Sequence, residues 1–285
     1  MIKDQKIKAA IYGFIVGDAL GVPYEFKARD TFNCVDMVGH GTWDQEKGTW
    51  SDDSSMVLAT LDALSKKYAS KTNLLASIMN NFLSWKWDAK YTAHNEVFDI
   101  GNTTAQAISV YCQRGDVKTC GRAGESNNGN GALMRILPLA FQEYDESLID
   151  HIAALTHNTT RSKFACEMYI KIVQSLINDT FDPFDPYLGM IRDMERDQVK
   201  STGYVIDSFI ACLWCFLNSD NYAEAICKAV NLGGDTDTIA ALTGALAGIY
   251  YGFDDIPKKW IENLANKELI SGIVHNYLKS QDKST

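Results

Sequence analysis

Apolar residues recur at helical spacing along almost the whole chain, and this leaves room for little but an all-α fold. Ile7, Ala10, Ile11 and Phe14 form an i, i+3, i+4, i+7 stripe. Val57, Leu61 and Leu64 repeat it, as do Leu75, Ile78, Phe82 and Trp85. Leu148, Ile149, Ile152 and Leu155 make another stripe, followed by Phe164, Met168, Ile172 and Leu176. Further helical runs cover 204–217, 222–230 and 239–249, with two shorter pieces beyond Pro257. The one strand-like stretch, 34–38, is short and has no convincing partner. The Asp-Pro steps of 178–187 mark a surface loop, too short to link domains. With no internal repeat and no low-complexity tract, the expected architecture is a single compact all-α domain over residues 1–285.

The first helix carries Gly13, Gly17 and Gly21 at four-residue spacing. A glycine in a helix interior costs about 1 kcal/mol relative to alanine, so the ridge needs a packing reason. In a lipid bilayer it would suggest dimerisation. Here, with Asp18 in the middle of the ridge, it marks the most buried helix of the bundle.

Composition narrows the function classes. Lys and Arg number 27 against 36 Asp and Glu, for a net charge of −9. That balance disfavours a nucleic-acid surface and docking on anionic membranes. The seven cysteines are an odd number, mostly set among apolar helical neighbours, which suits reduced thiols in a cytoplasmic protein. Cys212 and Cys215 form a lone CxxC and read as core filler. Asp18 interrupts the apolar N-terminal run, so it does not read as a signal peptide. The longest apolar stretch, 239–251, is shorter than the roughly 20 residues of a spanning helix. A soluble cytoplasmic chain is expected, with a monomer favoured.

Two acid-rich segments stand directly before apolar helices. The first is Ser51-Asp52-Asp53-Ser54, and the second is Gly233-Gly234-Asp235-Thr236-Asp237-Thr238. A carboxylate at a helix start is ordinarily an N-cap favoured by the helix dipole. One acid satisfies that need. Adjacent acid pairs flanked by hydroxyls repel each other, and their oxygens are the donors that Mg²⁺ or Mn²⁺ prefer. If the two segments faced each other they could hold two divalent ions, with Glu25 as a further acid. Asp235-Thr236-Asp237 also resembles the Asp-x-Asp start of haloacid-dehalogenase-type phosphatases. The residues before it are helix-periodic rather than strand-like, and the alternating α/β pattern of that fold is missing.

Other polar islands are weaker alone. Gly129-Asn130-Gly131 precedes a helical run ending in Arg135 and could let backbone N–H groups approach an anion. Arg135 suits either a phosphate or an internal acid. His157 lies between two helices, where a lone histidine is commonly surface decoration. Asp99, before Asn102, reads equally as a helix cap. The remaining histidines, 40, 94, 151 and 275, have no spacing that suggests zinc.

Taken in order, these islands resemble the ADP-ribosylglycohydrolase family, typified by the hydrolase that reactivates dinitrogenase reductase. The resemblance runs from Gly17-Asp18-Ala19-Leu20-Gly21 through Glu25, Trp50 to Ser54, Phe98 to Asn102, Gly129 to Arg135 and Thr156-His157, to Asp235-Thr236-Asp237-Thr238. It implies an all-α fold with two Mg²⁺ or Mn²⁺ ions in a central cleft. It implies Ser51, Asp52, Asp53, Asp235, Asp237 and Thr238 as metal ligands, with Glu25 a ligand or water-positioning acid. Asp99 matches the acid placed near the scissile bond in members acting on ADP-ribosylarginine. Asn102, Gly129, Asn130, Gly131 and His157 match positions that line ADP-ribose. Ser51 departs from the threonine of many members but keeps the hydroxyl oxygen. The function implied is metal-dependent hydrolysis of the glycosidic bond between ADP-ribose and a protein side chain, arginine foremost. The rivals are a hydrolase of a free ADP-ribose derivative and a non-catalytic, crystallin-like ADP-ribose binder.

Overall fold

The computed structural model describes residues 2–143 and 146–282. Its helices are Ile2–Gly21 (α1), Asp52–Leu64 (α2), Lys71–Asp88 (α3), Asn102–Arg114 (α4), Glu146–Ala153 (α5), Thr160–Ile177 (α6), Pro186–Arg192 (α7), Val205–Leu217 (α8), Tyr222–Val230 (α9), Thr236–Tyr251 (α10), Lys258–Asn263 (α11) and Lys267–Asp282 (α12). Among the described residues no sheet forms, and the stretch 34–38 runs without regular structure. The all-α expectation is met.

Two local readings change. The loop expected over 178–187 ends earlier, because Asp185 caps the N–H groups of Tyr187 (2.8 Å) and Leu188 (3.3 Å) while Pro186 opens α7. An Asp-Pro step breaks a preceding helix but starts a following one, since proline has no N–H to leave unsatisfied. The second piece beyond Pro257 is also longer than expected, at 16 residues. Its buried face is Ile270, Ile273, Val274 and Tyr277, which packs α12 on α2.

The chain divides into two compact units, Met1–Ser51 with Lys171–Ala265, and Asp52–Ile170 with Asn266–Thr285. In the first, α1 lies along α10, which also packs on α8 and α9. The glycine ridge explains the intimacy of that pair. A Cβ on Gly13 would sit 2.3 Å from the Gly244 carbonyl oxygen, and one on Gly17 would sit 2.1 Å from that of Ala240. Gly21 meets the Asp237 backbone in the same way, at 2.3 Å from its Cα. The two helices therefore touch backbone to backbone, and Tyr222 Oη donates to the Gly13 carbonyl (2.6 Å) across the seam. Cys212 and Cys215 are buried on α8, where desolvation pushes Cys212 well up and Cys215 up to about 12. Both thiols stay protonated, as core filler should.

In the second unit α2 packs against α3, α12 and the 3₁₀ turns Asn130–Arg135 and Leu137–Phe141. Phe82, Trp85, Phe141 and Tyr277 fill its core. No described helix is long and apolar enough to cross a membrane.

Substituting Gly17→Ala forces a methyl into the α1–α10 seam. Overpacking of this kind costs about 1–3 kcal/mol. Urea unfolding should show the loss, and a midpoint equal to that of the wild type would refute the backbone contact.

Candidate active site

The ends of α1 and α10 bring several of the acids into one place in the first unit. Thr236 Oγ1 donates to the Gly21 carbonyl (2.8 Å), closing the C-terminus of α1 on the first turn of α10. Gly233 and Gly234 adopt φ of +72° and +73°, a double left-handed turn that glycine makes without strain. That turn clips onto the segment after Glu25: Phe26 N donates to the Gly234 carbonyl (2.7 Å), and Gly234 N to that of Lys27 (2.9 Å). Glu25 and Asp237 thereby offer carboxylate oxygens within 4.8 Å of one another, and both side chains are buried.

The simple capping explanation fails for the second acid pair. Asp235 occupies the N-cap position of α10, yet its carboxylate takes no capping hydrogen bond. Asp237 is 1% exposed; its Oδ1 accepts from Thr238 N (2.9 Å), and its buried Oδ2 receives no hydrogen bond, while the side chain has other interactions. Buried carboxylate oxygens of this kind, beside the Thr238 hydroxyl, are a donor set that can hold a metal ion.

Ser51 ends the first unit's N-terminal segment. Its N–H points at the carboxylate of Asp18, 3.0 and 3.1 Å from the two oxygens, and both residues are fully buried. Asp18 thus orders the chain entering α2. Sequence reasoning did not place it in the site, although a charge set among the apolar residues and glycines at the end of α1 was a visible signal.

In the second unit, Asp52 and Asp53 form the first turn of α2 and are buried. Asp53 Oδ1 receives no hydrogen bond, while the side chain has other interactions. Asp99 is half-buried with φ of +53°, a left-handed conformation that Asp tolerates better than most residues and that clusters at functional positions. Asn102 opens α4 and is exposed.

His157 is not surface decoration. It is 3% exposed, and burial together with the Arg135 guanidinium pushes its pKa down to about 3. Arg135 is fully buried too, and desolvation lowers it to about 10, which leaves it charged at neutral pH. Its guanidinium donates to the Ile152 carbonyl and to Thr156 Oγ1 (2.6 Å), and it lies over the Phe82 ring. Thr156 Oγ1 accepts from Arg135 and shares a hydrogen bond with His157 Nδ1 at 2.8 Å. With its pKa held near 3, the imidazole is neutral at pH 7. A Cβ on Gly131 would lie 2.6 Å from His157 Cε1 and 2.9 Å from Thr104 Oγ1, so this glycine lets the turn close on the ring and on α4. His157, Gly131 and the first turn of α4 belong to one cluster. Arg135 and Thr156 act behind it, in roles the sequence pattern did not reveal.

Paired carboxylates are the common equipment of hydrolases acting on glycosidic bonds. The ADP-ribosylglycohydrolase family model matches residues 2–285, and the chain belongs to that family. Among its relatives, ADP-ribosylarginine hydrolase Tri1 of Serratia proteamaculans is 33% identical, over 94% of this chain and 77% of the relative. ADP-ribosyl-[dinitrogen reductase] glycohydrolase of Rhodospirillum rubrum is 31% identical, over 90% of each. A solved structure titled ADP-ribosylglycohydrolase-related protein complex superposes with a TM-score of 0.80 at 27% identity, covering 98% of both chains. The protein is a glycohydrolase.

A buried neutral histidine makes stability pH-dependent. The unfolded chain protonates His157 near its ordinary 6.5, and the folded chain not until about 3. This contribution is complete above pH 6.5 and falls below it by about 1.4 kcal/mol per pH unit. Unfolding free energies measured from pH 7 to 5 should therefore drop less steeply in His157→Gln than in the wild type. Equal slopes would show that the imidazole is not buried and neutral.

Proposed function

We propose that this protein hydrolyses the N-glycosidic bond between ADP-ribose and an arginine side chain of a modified protein, using two Mg²⁺ or Mn²⁺ ions. The observation that carries the reading is the pair of buried carboxylates, Glu25 and Asp237, whose oxygens approach within 4.8 Å. Two such acids repel each other unless a proton or a cation lies between them. The arginine linkage is supported by the name of the Serratia relative and by Asp99 in the segment Phe98 to Asn102.

The ligands proposed are Ser51, Asp52, Asp53, Asp235, Asp237 and Thr238. All are hard oxygen donors, as Mg²⁺ and Mn²⁺ require, and Ser51 is joined to Asp52 by a peptide bond. When bound, the ions supply positive charge that orients the diol of the distal ribose.

The chain's own groups carry the rest. Hydrolysis joins a water oxygen to the anomeric carbon and breaks the bond from that carbon to the guanidine nitrogen, which keeps the electron pair. The transition state resembles an oxocarbenium ion, and the Glu25 and Asp99 carboxylates stabilise its positive charge. Glu25 takes the proton from the attacking water while Asp99 hydrogen-bonds the departing neutral guanidine; that proton then passes to the guanidine, which leaves as guanidinium with Glu25 ionised again. Asn102, Gly129, Asn130, Gly131 and His157 line the ADP-ribose. We further read the protein as a cytoplasmic monomer whose partner is an ADP-ribosylated protein, with neither nucleic acid nor membrane involved.

Purified protein with Mg²⁺ should release ADP-ribose from arginine-linked substrate and not from serine-linked substrate, and EDTA should stop the reaction. Release only from a free ADP-ribose derivative, or none at all, would refute the reading. Asp237→Ala should abolish hydrolysis and weaken divalent-ion binding by calorimetry. Asp99→Asn should lower kcat by about 10²-fold or more, the scale of a general acid–base group, with ion binding largely retained. Full activity of Asp237→Ala with unchanged ion occupancy would remove these ligands from the site.

A further inference from the structure

Glu25 is gripped by a turn that has no share in the core. The 3₁₀ turn Gly41–Trp43 buries none of its residues. It is nevertheless built at some cost: His40 has φ of +64° and Asp44 of +50°, and Phe26, which follows Glu25, has +63°. Non-glycine residues held in this region cost of order 1 kcal/mol or more each, and they persist where surrounding structure requires the placement. Burial of apolar surface does not supply that requirement here.

The placement serves Glu25. Gly41, at φ +82°, lies so close to the turn Val22–Tyr24 that a Cβ would fall 2.0 Å from the Pro23 carbonyl oxygen. Thr42 Oγ1 donates to the Glu25 carbonyl at 2.6 Å. Trp43 Nε1–H donates to Glu25 Oε2 at 2.5 Å. The Phe26 ring braces the indole edge-on, with centroids 6.1 Å apart and planes at 63°. Backbone and side chain of one glutamate are thus held by consecutive residues of a single exposed turn. An indole N–H on a carboxylate is a charge-assisted bond, and it selects one orientation of a side chain with three free torsions.

We propose that Trp43 is a positioning residue for the reaction, acting through the Glu25 carboxylate. This rests on the reading of Glu25 as the acid that receives the water's proton. A glutamate free to rotate spends only part of its time aligned with the reacting atoms, and preorganisation by a rigid donor removes that loss. Trp43 itself touches neither water nor sugar in this account. Its effect therefore belongs in kcat rather than in KM.

The test uses Trp43→Phe, which removes the N–H and trims the indole to a phenyl ring that can still meet Phe26, together with Glu25→Gln and the double variant. Trp43→Phe should lower kcat about tenfold, the scale of a hydrogen bond to a charged group, with KM within about twofold of wild type. On the Glu25→Gln background it should lower kcat no further. Indole ¹H–¹⁵N spectra of the metal-free protein give a readout independent of activity. The resonance that Trp43→Phe deletes should shift in Glu25→Gln, because its acceptor has lost its charge. An equal loss of kcat on both backgrounds, a kcat within twofold of wild type in Trp43→Phe, or an indole resonance indifferent to Glu25→Gln would each overturn the proposal. A wild-type protein inactive on arginine-linked substrate would overturn the assigned reaction instead, and the indole resonance would still decide whether Trp43 holds Glu25.

Discussion

The backbone contact between α1 and α10 is the constraint on which the first unit's acids depend. Three glycines of α1 face carbonyl and Cα atoms of α10 with no side chain between them. Gly21 lies against Asp237, Thr236 caps the Gly21 carbonyl, and Glu25 follows four residues later. The spacing of the two backbone segments that carry the carboxylates is therefore set by main chain, and the Trp43 bond orients the Glu25 side chain upon it. Two buried acids would otherwise drive apart. A rigid seam keeps them close at the expense of the stability that alanines would have added at those helical sites.

The second unit handles charge differently. Its histidine is held neutral, and its arginine is held charged by neutral acceptors: a carbonyl and a threonine hydroxyl receive guanidinium protons. Burial, reinforced by the nearby Arg135 cation, keeps the imidazole from protonating, and the Thr156 hydroxyl links the two side chains.

Much of this was legible in the residues. Helical stripes located the long elements, since an apolar face must recur every three to four residues to be buried. The glycine ridge announced a close helix approach and the acid pairs announced helix starts. What the pattern could not convey were relations between distant segments. Trp43 carries no local signal, because its partner lies eighteen positions earlier in an unrelated turn. Thr156 looked like an ordinary loop hydroxyl, and its role follows only from Arg135 arriving from another element. His157 read as exposed because burial of a lone polar residue depends on what packs over it. The helix at 186–192 was hidden by an Asp-Pro step that reads as a break from one direction and as a cap from the other.

The buried Arg135 also changes how salt acts on this molecule. With a net charge of −9, the surface repels anions at long range, and mobile ions screen that repulsion over about 8 Å at physiological ionic strength. The guanidinium is out of reach of those ions, so its effect on the groups packed around it is barely attenuated. Raising the ionic strength therefore mutes the surface charges while leaving the Arg135 hydrogen bonds to Ile152 and Thr156, and its part in keeping the His157 imidazole neutral, in place.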